Sequence, residues 1–203
     1  SPVVFITIGL TGIHAGQPML RSTARAGDQV AVTGYLGGSG GGLRLMLGAG
    51  HDSNLSDQVS EEAAEYLRGC HRRPRPALAE GRILSASGVV TAMDVSDGLG
   101  DDLSKLCRSS GLSARIHAGQ VPVHPLLKQA YPDDYLDLAL GGGEDYLLLF
   151  TAPAEVMALV MPQLSQGAAV VGELLPGEPG RVSVLDVDGS ERPASAAGWD
   201  HFR

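Results

Sequence analysis

Short apolar runs alternate with helical stripes along this chain, and glycine or proline separates most of them. Residues 3–8 and 29–33 are β-rich runs that each end near glycine. Leu43, Leu45, Met46 and Leu47 predict a short buried helix behind a glycine-rich segment. Val59, Ala63, Tyr66, Leu67 and Cys70 form the apolar side of a further helix, which Ser56 and Asp57 can cap. Two prolines in His71-Arg72-Arg73-Pro74-Arg75-Pro76 stop that helix. Residues 77–84 predict another short helix, and residues 88–95 an apolar strand running straight into Ser96-Asp97-Gly98. Leu99, Leu103, Leu106 and Cys107 recur at helical spacing, with Gly111 as the stop.

The same alternation continues downstream. Residues 114–117, 146–150, 168–172 and 182–187 read as strands, the last turning at Asp188-Gly189. Residues 125–130, 135–140 and 154–164 read as helices. Interleaved strands and helices give an α/β or α+β domain. No internal repeat or low-complexity linker interrupts it.

Glycine changes the picture most. There are 28 glycines, clustered at residues 37–42, 98–100 and 141–143. Such clusters mark tight turns or close approach of backbone to a ligand. Residues 37–42 resemble a phosphate cradle, but they lack the Gly-Lys-Ser/Thr ending of a P-loop and any dinucleotide fingerprint. A packing role and a ligand role both stand there.

Asp94-Val95-Ser96-Asp97-Gly98-Leu99 carries the sharpest chemistry. A buried strand delivers two carboxylates and a hydroxyl to a helix start. Hard oxygen ligands suit Mg²⁺, and free N–H groups at a helix start favour anions beside it. The competing reading makes Ser96 or Asp97 an N-cap and Asp94 a turn residue. Asp101 and Asp102 fit the first helical turn, where negative charge is favoured. In Gly141-Gly142-Gly143-Glu144-Asp145-Tyr146, three glycines place Glu144 at a strand mouth, to meet an amino-heterocycle or a cation; a flexible turn with solvated acids is the alternative. Arg21 and Arg25 flank a turn, and arginine forks suit phosphate oxygens, although a solvated charge is the default. Trp199, the single tryptophan, is either a plug that packs the tail or a stacking platform. His and Cys show no zinc-ligand spacing, and no nucleophile-elbow pentapeptide occurs.

Composition sets bounds on these readings. The chain has 203 residues, 43% hydrophobic and 19% charged, which is an ordinary globular balance. A net charge of −8 argues against general affinity for nucleic acid or an anionic membrane. It leaves anionic substrates open, because arginines and metal ions reverse the sign of a small site. Cys70 and Cys107 read as buried thiols in a reducing cytoplasm. No apolar run approaches the roughly 18 residues that span a bilayer, and the first residues do not form a signal peptide. A strand so near a start without Met suggests that an upstream segment has been removed.

Taken in order, several segments resemble thiamine-monophosphate kinases, of the superfamily that includes aminoimidazole ribonucleotide synthetase and selenophosphate synthetase. They are Leu20-Arg21-Ser22, Ala24-Arg25-Ala26-Gly27-Asp28, Val32-Thr33-Gly34, Arg73-Pro74-Arg75-Pro76, Asp94-Val95-Ser96-Asp97-Gly98-Leu99, Gly142-Gly143-Glu144-Asp145-Tyr146 and Gly198-Trp199-Asp200-His201-Phe202. They cover nearly the whole chain. The resemblance implies a PurM-like C-terminal domain over residues 1–203, a mixed β-sheet flanked by helices. It also implies transfer of the γ-phosphoryl of ATP to thiamine monophosphate, giving thiamine diphosphate, with several Mg²⁺ ions. Asp94 and Asp97 would then bind Mg²⁺, Ser96 and Arg21 would contact ATP, and Glu144 and Trp199 would hold the thiamine part. The family's N-terminal domain, with most of the metal-binding aspartates and the homodimer strands, is not in this sequence, so the chain alone is expected to be inactive. The resemblance further implies a cytoplasmic protein with no nucleic-acid or membrane partner. A non-catalytic module for phosphorylated ligands or partners, and another synthetase of the superfamily, are the competing expectations.

Overall fold

The computed structural model describes residues 6–13, 16–48 and 59–194. Its frame is a seven-stranded sheet in the order β2-β4-β1-β5-β3-β6-β7. The strands are β1 (Gln29–Val32), β2 (Thr91–Asp94), β3 (Ser113–His117), β4 (Leu148–Ala152), β5 (Ala169–Leu175), β6 (Val182–Leu185) and β7 (Glu191–Pro193). Among the described residues only β3 and β6 pair in parallel, so the sheet is mixed, as the resemblance implied.

Helices cover both faces of the sheet. They are α1 (Gly38–Gly48), α2 (Glu61–Arg72), α3 (Leu78–Ala86), α4 (Leu99–Ser110), α5 (Pro125–Ala130), α6 (Tyr135–Gly141) and α7 (Ala154–Val160). Strand alternation sorts the core. Val30 and Val32 of β1, Met93 of β2 and Leu149 of β4 pack with Leu67 of α2, Leu99, Leu103 and Leu106 of α4, and Leu127 of α5. Their neighbours Ala31, Ala92 and Phe150 turn the other way, onto Leu84 of α3 and Met157 and Val160 of α7. Removing these apolar faces from water is the main force joining the layers.

Most predicted elements are present, with instructive shifts at their ends. The strand expected at 3–8 falls partly outside the described residues, and Ile6, Ile8 and Leu10 are exposed and outside any strand. Ser56 and Asp57 also lie outside the described residues. The cap of α2 is Ser60, whose side chain accepts from the Ala63 N–H at 3.3 Å, and the helix runs on through His71 to Arg72. The strand expected at 146–150 begins at Leu148, because Tyr146 takes φ 52, outside strand geometry. Residues 154–164 split into α7 and a 3-10 turn at Met161–Gln163 that contains Pro162. Beyond the turn at Asp188-Gly189 the chain returns as β7, which pairs with β6 and has too few apolar residues to be read as a strand.

The glycine-rich stretch at the start of α1 is a packing device. A Cβ on Gly42 would stand 2.1 Å from the Leu67 carbonyl oxygen, and one on Gly41 would stand 2.7 Å from Leu127 Cδ1. Backbone of α1 therefore lies directly against α2. The N-terminus of α1 is filled by the protein itself: Asp145 accepts from the Gly37 N–H at 2.6 Å and the Ser39 N–H at 3.0 Å.

Candidate functional site

Past the ends of β2 and β4, the antiparallel ladder continues into the two loops that carry the candidate chemistry. The Val95 N–H donates to the Leu147 carbonyl, the Tyr146 N–H to the Val95 carbonyl, and the Glu144 N–H to the Ser96 carbonyl, at 2.8–2.9 Å. Glycine makes the approach possible. Gly98 has φ 111 and a Cβ there would meet the Gly141 backbone at 2.9 Å; a Cβ on Gly143 would meet the Ser96 carbonyl oxygen at 2.7 Å. Glu144 itself adopts φ 65, a left-handed conformation that non-glycine residues seldom take and that collects at functional sites.

Within the 94–99 loop the N-cap of α4 is Gly98, with no side-chain cap. Neither Ser96 nor Asp97 caps the helix, so the structural role expected for them is absent. The buried Asp102 holds the loop instead, accepting from the Ser96 N–H at 2.8 Å and the Asp97 N–H at 2.9 Å through Oδ2. Asp94, at the end of β2, is exposed.

Lys105, midway along α4 and one turn beyond Asp101, faces three carboxylates. Its Nζ bonds to Asp97, to Asp101 at 2.8 Å and to Asp102 Oδ1 at 2.9 Å. Burial alone would lower the Lys105 pKa; the hydrogen bonds to Asp101, Asp97 and Asp102 outweigh it and hold the ammonium above its ordinary value. Oxygens of Asp97, Asp101 and Asp102 lie within 4.8 Å of one another, and an all-carboxylate set suits a hard divalent cation such as Mg²⁺. The donor chemistry fits, but Lys105 already engages all three.

On the other side of Glu144 stands a small polar cluster. Ser39 Oγ and His71 Nδ1 are 2.9 Å apart, and Glu144 Oε2 is 3.6 Å from the same ring nitrogen. Because serine and glutamate share one nitrogen, the imidazole cannot relay a proton between them, and this is no hydrolytic triad. Asp145 is pushed up to about 6 by burial, against the opposing effect of its bonds from Gly37 and Ser39. A cleft of about 630 Å³ borders Gly141 and Gly142, with Arg44, Asp134 and Arg192 on its walls.

Four of the six residues singled out from the sequence, Asp94, Ser96, Asp97 and Glu144, thus lie on two loops joined by backbone. Arg21 does not join them. Its carbonyl accepts from Ser110 Oγ at 2.7 Å, at the C-terminal end of α4, whereas Ser96 precedes the N-terminal end. Trp199 lies outside the described residues. Sequence reasoning missed Lys105, His71 and Ser39. The spacing of Asp101 and Lys105, four apart on a helix, was the one available signal.

Residues 25–184 match the family described as AIR synthase related protein, C-terminal domain, and the chain belongs to that family. Curated relatives that it resembles include thiamine-monophosphate kinases. That of Bacillus subtilis (strain 168) is 30% identical over 98% of this chain and 60% of its own length. That of Salmonella typhimurium (strain LT2) is 34% identical over 97% of this chain and 59% of its own. Among solved structures, AaThiL complexed with AMPPCP and TMP superposes with a TM-score of 0.74 and 32% identity, over 91% of this chain and 54% of that one. The chain therefore spans about 60% of the length of the curated relatives it matches.

Proposed function

We propose that this chain is the C-terminal part of a thiamine-monophosphate kinase and forms one wall of a site where the γ-phosphoryl of ATP passes to thiamine monophosphate. The observation that supports this best is the joining of the acidic loop to the Glu144 loop through three main-chain hydrogen bonds. Transfer between two polyanions depends on positioning and charge neutralisation more than on covalent chemistry, and Mg²⁺ supplies that neutralisation when bound. Asp94 and Asp97 are the proposed Mg²⁺ ligands, with the Ser96 hydroxyl on the nucleotide. Glu144 and Trp199 are proposed to hold the thiamine part. Arg21 enters as a nucleotide contact on resemblance alone, since it stands at the other end of α4. The domain that completes the metal site and a homodimer would come from the N-terminal portion of a longer protein acting in the cytoplasm. Solved AaThiL in complex with AMPPCP and TMP, at 32% identity, supports the choice of ligands.

Isothermal titration tests the reading. Nucleotide binding by this chain is expected to require Mg²⁺ and to vanish in Asp94→Asn, and thiamine monophosphate binding is expected to weaken in Glu144→Ala. Nucleotide binding that ignores metal would instead favour a non-catalytic phospho-ligand module.

A further inference from the structure

We infer that Lys105 is the resident cation of the acidic loop, and that a divalent ion takes Oδ2 of Asp97 by displacing the Lys105 ammonium from it. This rests on the proposal that the 94–99 loop binds Mg²⁺. The three carboxylates in contact with Lys105 are not equivalent. Asp102 is 1% exposed and fully committed, with Oδ2 taking the Ser96 and Asp97 N–H groups and Oδ1 taking Lys105. Asp97 and Asp101 are only partly buried, and their contacts with Lys105 are the ones that can be exchanged. Asp94 is exposed and joins none of these pairs, so it is free to receive an ion first.

Metal and ammonium therefore compete for Oδ2 of Asp97, the oxygen that Lys105 holds. An ammonium is a point charge on a flexible stem, able to swing away without moving the helix that bears it. Asp102 keeps the loop backbone in shape during the exchange, because its bonds to the Ser96 and Asp97 amides do not involve Lys105. Lys105 is thus a positioning residue. It keeps Asp97 turned toward α4 while no metal is bound, and it weakens metal binding by the work of its own displacement.

Mn²⁺ binding, followed by loss of the free-ion electron paramagnetic resonance signal, tests this on the purified chain. Lys105→Met is expected to bind Mn²⁺ roughly tenfold or more tightly than wild type, because a positive charge next to the ion is gone. Asp94→Asn is expected to lose binding. If Asp94→Asn loses binding while folded Lys105→Met binds no tighter than wild type, the inference falls and the metal-loop reading survives. If none of the three proteins binds Mn²⁺, both fall together. A second readout needs no variant: acetylation of Lys105 by acetic anhydride, quantified by mass spectrometry. Saturating Mn²⁺ is expected to speed it several-fold as the ammonium leaves its carboxylates, and an unchanged rate in the metal-bound protein overturns the inference even if Lys105→Met does not fold.

Discussion

Gly98 shows how much a single residue can decide at this site. Its φ of 111 suits glycine alone, and its missing Cβ leaves room for the Gly141 backbone. Gly98→Ala therefore carries both backbone strain and a clash with main chain. A loss of about 2–4 kcal/mol in urea unfolding is expected, with weakened ligand binding at both loops. Asp145 offers a pH test. Its folded pKa is raised from 3.8 to about 6, so the folded state holds a proton that the unfolded state releases between those values. Stability contributed by this group accordingly falls as pH rises through that window, and is constant above it. Against wild type, Asp145→Asn is expected to gain relative stability from about pH 4 to pH 6, as read by thermal melts across pH. Cysteine reactivity gives a further check. Burial pushes Cys107 up to about 12 and also raises half-buried Cys70, against the opposing hydrogen bond with Tyr66, so iodoacetamide at neutral pH should label the more accessible Cys70 before Cys107, which reacts only on unfolding.

At the scale of elements, the α1–α2 contact reverses an ordinary propensity rule. Glycine to alanine inside a helix usually stabilises by about 1 kcal/mol. Gly42→Ala is expected to do the opposite, lowering stability by about 2 kcal/mol or more, because the new methyl would sit 2.1 Å from the Leu67 carbonyl oxygen. Equilibrium denaturation reads the sign directly. The same contact explains why residues 37–42 were ambiguous as a sequence. A glycine run looks alike whether it cradles phosphate or admits a neighbouring helix, and only the position of α2 separates the two. Strands with continuous apolar runs, such as that ending at Asp94, were legible because burial demands them. Tyr146 was not, since its left-handed backbone accompanies the bond its N–H makes to the Val95 carbonyl and follows from no property of tyrosine. Lys105 was half legible: its helical spacing from Asp101 shows in the sequence, while its contact with Asp97 needs the loop to fold back over α4.

For the whole molecule, the sheet order was beyond sequence reasoning, because neighbouring strands such as β1 and β5 lie far apart along the chain. The class of fold was nonetheless legible from motif order, and four of the six candidate residues lie on two loops that share backbone hydrogen bonds. The Arg21 backbone lies at the other end of α4, and nearness in a motif list carries no information about which end of a helix a residue reaches. On the proposed reading, the 203-residue chain is expected to show no kinase turnover in a coupled ATP-consumption assay at any Mg²⁺ concentration. Turnover by the chain alone would mean that the proposed metal ligands suffice.

The ladder that runs past β2 and β4 has one more implication, for the order in which ligands arrive. Loops sharing main-chain hydrogen bonds lose their freedom jointly, so whatever stiffens the Asp94 loop also removes entropy from the Glu144 loop. On the proposed reading, a metal–nucleotide pair at the first loop would lower the entropic penalty for an acceptor at the second, and thermodynamic reciprocity would require the same factor in reverse. Such synergy would need only the shared backbone, with no domain closure and no shared side chain. Slowed amide exchange at Glu144 and Tyr146 on loading only the Asp94 loop would be its signature.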